Sequence, residues 1–306
     1  MSRFDDLPPN VPLLLATPRP LGTNKEKGKE EPVADPARMY NFYLRGKDNY
    51  EVDRVAAQQV IDATGGEAIP MAEENLRFAS RAAAYVVGER GVRQVLDIGM
   101  GIVNDLPADL PTVERAVRAA ADGVVLIGFD HSPIVLAHSR ALRSAPGSGY
   151  DAVAGADLRD LDSLFATPEL HNLIDLGQPI LVMLAAVLHF ITDQEDPARL
   201  LADLHARLAP GSCLVLSHAC STGIPQQAVS GMTSGYLRAS SQLTVRTQPH
   251  ILALIQNAGW EPLDPDVPLC DVQMWAPPGQ TRQYQGRAFE KVRVAGTIAV
   301  SSKATA

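Results

Sequence analysis

Hydrophobic and polar positions follow three different textures along this chain. Up to about residue 34 there is no period. Prolines recur at Pro8, Pro9, Pro12, Pro18 and Pro20, and the run 24–31 is nearly all charged. Such a stretch buries too little apolar surface to offset its ordering entropy, so residues 1–34 read as a flexible tail. Asp35-Pro36 then supplies an N-cap and a proline at the first helical position. Met39, Phe42 and Tyr43 share one helical face, and the polar turn Arg45-Gly46-Lys47-Asp48-Asn49 follows. Val52, Val55, Ala56, Val60 and Ala63 mark a second helix ended by Gly65-Gly66. Leu76, Ala79, Ala83 and Val86 mark a third, over about 70–87, ended by Gly88. Residues 35–90 are therefore predicted to form a helical cap.

From Gly91 onward, short apolar runs alternate with helical stretches. Segments 94–98, 124–129, 152–154, 180–185 and 213–217 read as buried strands, with helices at 112–121, 133–142, 161–165 and 197–208. That alternation predicts a mostly parallel sheet with helices on both faces over 91–306. A helix at about 249–258 stops at Gly259, a strand follows near Trp260, and 292–300 alternates like an antiparallel edge strand. The Gly-Ser-Thr-rich stretch 221–241 has the composition of a mobile lid.

Charge and cysteine usage narrow the function classes. The net charge of −8 disfavours a nucleic-acid partner. Three cysteines without a CxxC suit a reducing cytoplasm, and no run approaches the length of a membrane span. His205 and His250 lack acidic neighbours at ligand spacing, so no metal site is expected.

The most informative segment is Val95-Leu96-Asp97-Ile98-Gly99-Met100-Gly101. An apolar strand entering a two-glycine turn lets a ligand approach the backbone at the carboxyl end of a sheet. The dinucleotide fingerprint wants a third glycine where this chain has Asn104. It also wants its acid about 20 residues on, whereas Asp130 lies 31 positions beyond Gly99 (130 − 99). Asp130, at the tip of the second strand, suits two ribose hydroxyls, with His131 beside the adenine. Asp157, after the third strand, could accept the adenine amino group. Three acids at successive strand tips favour a cationic sulfonium over an anionic dinucleotide.

With these residues in place, the chain resembles the actinobacterial S-adenosylmethionine methyltransferase family once catalogued as a domain of unknown function. The matching text includes Ala37-Arg38-Met39-Tyr40, Gly46-Lys47-Asp48-Asn49, Asn75, Phe78 and Arg81. It continues through Leu96-Asp97-Ile98-Gly99, Asp130, Ala156-Asp157-Leu158-Arg159-Asp160, Val187-Leu188-His189-Phe190 and Leu216-Ser217-His218-Ala219. The resemblance implies a Rossmann-like class I methyltransferase fold that binds S-adenosyl-L-methionine and methylates a small-molecule acceptor. By that analogy Asp97, Gly99, Gly101, Asp130, His131, Asp157 and Leu158 would hold the cofactor, with Ala185 at its methionine end. Lys47 and Asn49 would close over it from the cap. The family's Leu-Pro-Thr turn after the glycines is absent, and Ser132 replaces its second acid.

Methyl transfer needs alignment first and a base second. His189, just past the fourth strand, is the first candidate base and His218 the second; packing histidines bonded to backbone are the competing reading for both. Tyr43 and Tyr40 are candidates for orienting the acceptor, with Tyr236 and Arg238 in the region that often contacts it. Rival functions are cyclisation or elimination of the cofactor, or a silent cofactor-binding module.

Overall fold

The computed structural model describes residues 23–26, 29–102, 106–143, 149–280 and 288–303. Thr23–Glu26 (β1) pairs antiparallel with Lys29–Pro32 (β2), so the stretch read as a flexible tail carries a hairpin. Its register pairs Lys25 with Glu30 and Glu26 with Lys29 along the backbone. Residues 1–22, Asn104 and residues 281–287 lie outside the described residues.

The cap begins with α1 (Pro36–Tyr43), capped by the Asp35 carboxylate accepting from the Ala37 and Arg38 amides. The second helix, α2 (Glu51–Ala63), is tied to it through one buried side chain. Asp53 accepts from Asp35 N at 2.9 Å, Tyr50 N at 2.8 Å and Arg38 Nε at 2.6 Å. The third helix, α3 (Ala68–Glu89), runs straight through Gly88, where the sequence placed its end. It stops before Gly91, whose φ of +71° is the left-handed conformation that ends helices.

The remaining elements are β3 (Gln94–Ile98), α4 (Val113–Ala120), β4 (Val125–Asp130), α5 (Pro133–Arg143), β5 (Ala152–Gly155), α6 (Leu161–Phe165) and α7 (Pro168–Leu173). After them come β6 (Ile180–Ala185), α8 (Pro197–Arg207), β7 (Cys213–Ala219), α9 (Gln226–Tyr236), α10 (Gln248–Asn257), β8 (Trp260–Pro262), β9 (Cys270–Asp271) and β10 (Val294–Ser301). The main sheet runs β5-β4-β3-β6-β7-β10-β8, with β9 beside β10. Strands β3 to β7 are parallel, as the strand–helix alternation predicts. The final strand is antiparallel as expected, but it is interior: β10 lies between β7 and β8, not at an edge. Its burial on both faces, with the adjacent Ile298 and Ala299 covered from opposite sides, follows from that place.

Strand order reverses between β4 and β6 on either side of β3, the position at which open α/β sheets hold ligands. One apolar core joins cap to sheet through Met39, Leu44 and Phe78 against Leu181, Met183 and Val215. The opposite face is covered by Leu201, Leu204, Ile255 and Trp260. No helix among the described residues is long and apolar enough to cross a membrane.

The stretch expected to be a mobile lid contains α9, packed tightly on α2. A Cβ on Gly231 would lie 2.4 Å from Ala63 Cβ, and one on Gly235 2.4 Å from Val60 Cγ2. Composition suggested mobility; the four-residue spacing of the two glycines instead reflects close helix approach. Gly235→Ala should destabilise the protein by about 1–3 kcal/mol through overpacking, read as a lower Tm. Adding Val60→Ala should recover part of the loss, and a Tm unchanged by Gly235→Ala would contradict the packing account.

Candidate functional site

Strand β3 delivers the chain into Gly99 at φ +73° and Gly101 at φ +64°. A Cβ on Gly99 would stand 2.5 Å from Val187 Cγ2, beyond the tip of neighbouring β6, so glycine is required by space as well as conformation. At Gly101 there is open space, and its N–H donates to Asp130 Oδ2 at 3.1 Å. The other Asp130 oxygen accepts from Ser132 N at 2.9 Å. Burial pushes the Asp130 carboxyl upward, while these backbone donors and His131 oppose the shift.

Asp97 is buried beside it and accepts from Tyr150 Oη at 2.6 Å. Desolvation pushes its pKa up to about 6, against the Tyr150 hydrogen bond and with help from the neighbouring Asp130 charge. Asp157 is half-exposed and pairs with Arg159, which also holds Glu195 at 2.6 Å and the Phe190 carbonyl at 2.8 Å. At the end of β6, Ala186 adopts φ +59°, unusual for a residue with a Cβ, and its N–H donates to Ser217 Oγ at 2.9 Å.

These strand tips form one wall of a cavity of about 220 Å³. Asp97, Gly99, Gly101, Asp130, His131, Asp157, Leu158 and Ala185 all line it. The facing wall comes from the cap and α9, with Tyr40, Tyr43, Met71, Asn75, Met232 and Tyr236.

Lys47 and Asn49 do not line the cavity. Lys47 is exposed, and the polarity of Asn49 is used internally. Asn49 Nδ2 donates to Asn41 Oδ1 and to the Gly46 carbonyl, both at 3.0 Å, and Asn41 Nδ2 donates to the Ile102 carbonyl at 3.2 Å. The GKDN turn thus braces α1 against the glycine turn instead of reaching a ligand. A Cβ on Gly46 would collide with Asn41 Nδ2 at 2.2 Å, which explains its glycine.

The histidines also differ from the sequence expectation. His218 is fully buried, with Nδ1 2.8 Å from the Ala219 carbonyl and Nε2 2.8 Å from Arg246 Nη1. Both ring nitrogens are committed, so it is a structural residue and does not face the cavity. His189 lines the cavity, but its Nδ1 accepts the Ala219 N–H at 3.2 Å. The neutral ring therefore carries its proton on Nε2 and presents a donor, not a base. Burial, with Arg246 nearby, holds its pKa down to about 3. Tyr43 Oη lies 3.4 Å from Tyr236 Oη, and burial raises both phenols, Tyr236 to about 12. Neither is poised as a phenolate. Arg238 is exposed and outside the lining.

Sequence reasoning missed Tyr150 as the partner of Asp97 and Arg246 as the anchor of the His189 segment. Arg246 is buried and donates to Asp193 Oδ1 at 2.7 Å and to the Ile191 carbonyl at 2.7 Å. For Tyr150 a signal existed in Gly128, a glycine inside a strand. A Cβ there would lie 2.2 Å from Met100 Sδ and 3.0 Å from the Tyr150 ring.

The sheet order, the glycine turn and the strand-tip carboxylates define a Rossmann-like methyltransferase dependent on S-adenosylmethionine. The sequence matches the S-adenosyl methyltransferase family over residues 23–302, and the chain belongs to that family. A methyltransferase candidate from Thermobifida fusca, solved at 1.95 Å, superposes with a TM-score of 0.76 at 24% identity, covering 89% of this chain and 96% of that one. A DUF574-family protein from Streptomyces avermitilis superposes with a TM-score of 0.77 at 27% identity, covering 88% and 98%. No curated protein matches the sequence.

Two measurements check this site. With its pKa raised to about 6, the folded protein retains an Asp97 proton that the unfolded chain has lost above the ordinary 3.8. This group's contribution to stability therefore falls as pH rises through that window. A cation bound beside it favours the ionised form, so calorimetric affinity for S-adenosylmethionine should rise with pH, by up to about tenfold per unit below 6. Asp97→Asn should flatten that rise, and an equally steep rise in the variant would contradict the assignment. For His189, ¹⁵N spectra should show Nε2 protonated and Nδ1 bare, with no titration between about pH 5 and 8. A proton on Nδ1 in the neutral ring would remove the donor assignment, and a midpoint near about 6.5 would contradict the neutral buried ring.

Proposed function

We propose that this enzyme methylates a small, largely apolar molecule in the cytoplasm, with the strand tips holding S-adenosylmethionine and the cap holding the acceptor. The observation that carries the cofactor end is a pair of buried carboxylates, Asp97 and Asp130, flanking a two-glycine turn. The only basic side chain among the described lining residues besides histidine is Arg159, already engaged by Asp157 and Glu195. That donor set fits a cationic sulfonium and its diol, and offers little to a pyrophosphate.

In this reading Asp130 accepts from the ribose hydroxyls while Gly101 and Ser132 fix its orientation. Asp157 faces the adenine edge, with Leu158 and His131 beside it. Asp97, steadied by Tyr150, attracts the positively charged methionine end along Gly99 and Ala185. The bound cofactor supplies an electrophilic methyl group, and the chain supplies alignment and exclusion of water. Ala186, held by Ser217 in a strained backbone conformation, shapes the wall between the two halves. His189 Nε2–H is a donor positioned to orient the acceptor.

The acceptor half is walled by Tyr40, Tyr43, Met71, Phe190, Met232 and Tyr236, a surface suited to an apolar body and not to a phosphate backbone. Asp130→Ala should weaken S-adenosylmethionine binding by roughly 10–100-fold, from the loss of a charged hydrogen-bond acceptor. Incubation with acceptor mixtures should yield S-adenosylhomocysteine together with a product one methyl heavier. Methylthioadenosine as the product would replace methyl transfer by cyclisation or elimination.

A further inference from the structure

The cap half of the cavity contains one polar atom with an unfilled requirement. Asn75, on α3, is 3% exposed and lines the cavity. Its Nδ2 donates to Tyr40 Oη at 2.8 Å, and the Tyr40 hydroxyl passes its own hydrogen to the Ala72 carbonyl at 3.0 Å. That chain runs in one direction and fixes which end of the amide is oxygen. Oδ1 is left buried with no hydrogen-bond partner among the described residues. A buried acceptor without a donor carries its full desolvation penalty, so a ligand that supplies an O–H or N–H binds more tightly than one that does not.

The surroundings restrict the ligand further. Tyr43 and Tyr236 share a single hydrogen between their hydroxyls, at 3.4 Å, which leaves the other phenolic hydrogen available. Phe190 and Tyr236 stand with ring centroids 5.6 Å apart, an aromatic wall beside the cavity. Met71, Leu76, Ala79 and Met232 complete an apolar lining around Asn75, with no Lys or Arg from the cap helices. An anionic group there would be desolvated without a partner of opposite sign.

We propose that Asn75 is the specificity-determining residue of the methyl-acceptor subsite, which takes a neutral aromatic molecule carrying an O–H or N–H that Asn75 Oδ1 accepts. The proposal rests on the assignment of the cap half to the acceptor. Tyr40 is a positioning residue here, since it polarises and orients the amide without meeting the ligand through its hydroxyl hydrogen.

The test uses the full chain saturated with S-adenosylhomocysteine and three probes, 2-naphthol, 2-methoxynaphthalene and 2-naphthoate, titrated by calorimetry. The naphthol should bind at least about tenfold more tightly than its ether, and the anion should bind more weakly than both. Asn75→Leu should abolish the difference between naphthol and ether while the Kd for S-adenosylhomocysteine stays unchanged. Asn75→Gln, which keeps the acceptor, should restore part of it. Equal binding of naphthol and ether to the wild type, binding of none of the three, or discrimination that survives Asn75→Leu would each overturn the proposal. A changed Kd for S-adenosylhomocysteine in Asn75→Leu would also overturn it, by moving Asn75 to the cofactor end. Failure of S-adenosylhomocysteine to bind the wild type is a separate result that strikes the cofactor assignment.

Discussion

The buried carboxylates of Asp97 and Asp130 sit at the tips of adjacent parallel strands, and the rest of the site is arranged around the cost of keeping them there. A buried carboxylate is expensive unless it is paired or hydrogen-bonded. Here the compensation is partial: a tyrosine hydroxyl for one, two backbone amides for the other. The Gly101 amide is available only because the chain turns sharply through Gly99 and Gly101, and that turn is possible only because Val187 leaves room for a residue without a Cβ. Negative charge left incompletely balanced at a switch point in the sheet is a natural partner for a sulfonium. The raised pKa values of both groups report the same imbalance.

The cap answers a second constraint, that the reaction needs an acceptor aligned in a space without bulk water. Its position depends on Asp53, which joins the starts of α1 and α2, and on Asn41, which ties α1 to the backbone after the glycine turn. The helix α9 closes the remaining side through glycine contacts with α2. Cap and sheet share one core, so a change in the cap's packing is transmitted to the cavity's lining.

Most of the sheet was legible in the sequence because parallel strands buried on both faces appear as largely apolar runs, as at Ile180–Ala185 and 213–216. The carboxylates were legible because strand tips are marked by where those runs stop. What was not legible depended on partners distant in sequence. Nothing local to His189 says that Ala219 will take its Nδ1, and nothing local to His218 announces Arg246. The GKDN turn misled for a related reason: Asn49 spends its hydrogen bonds on Asn41, Gly46 and Arg54, a use that sequence polarity cannot separate from ligand binding. The apparent lid at 221–241 failed on composition, since small residues serve close packing as readily as mobility.

The central claim is that one cavity, bounded by the glycine turn below and the helical cap above, receives the cofactor at the buried acids. The most direct measurement is a crystal structure of the protein grown with S-adenosylhomocysteine. The account predicts the ribose hydroxyls on Asp130, the adenine toward Asp157, and the amino-acid end beside Asp97 and Gly99, with Tyr40, Asn75 and Tyr236 left facing open space. A ligand bound outside this cavity, or one whose ribose bypasses Asp130, would contradict it.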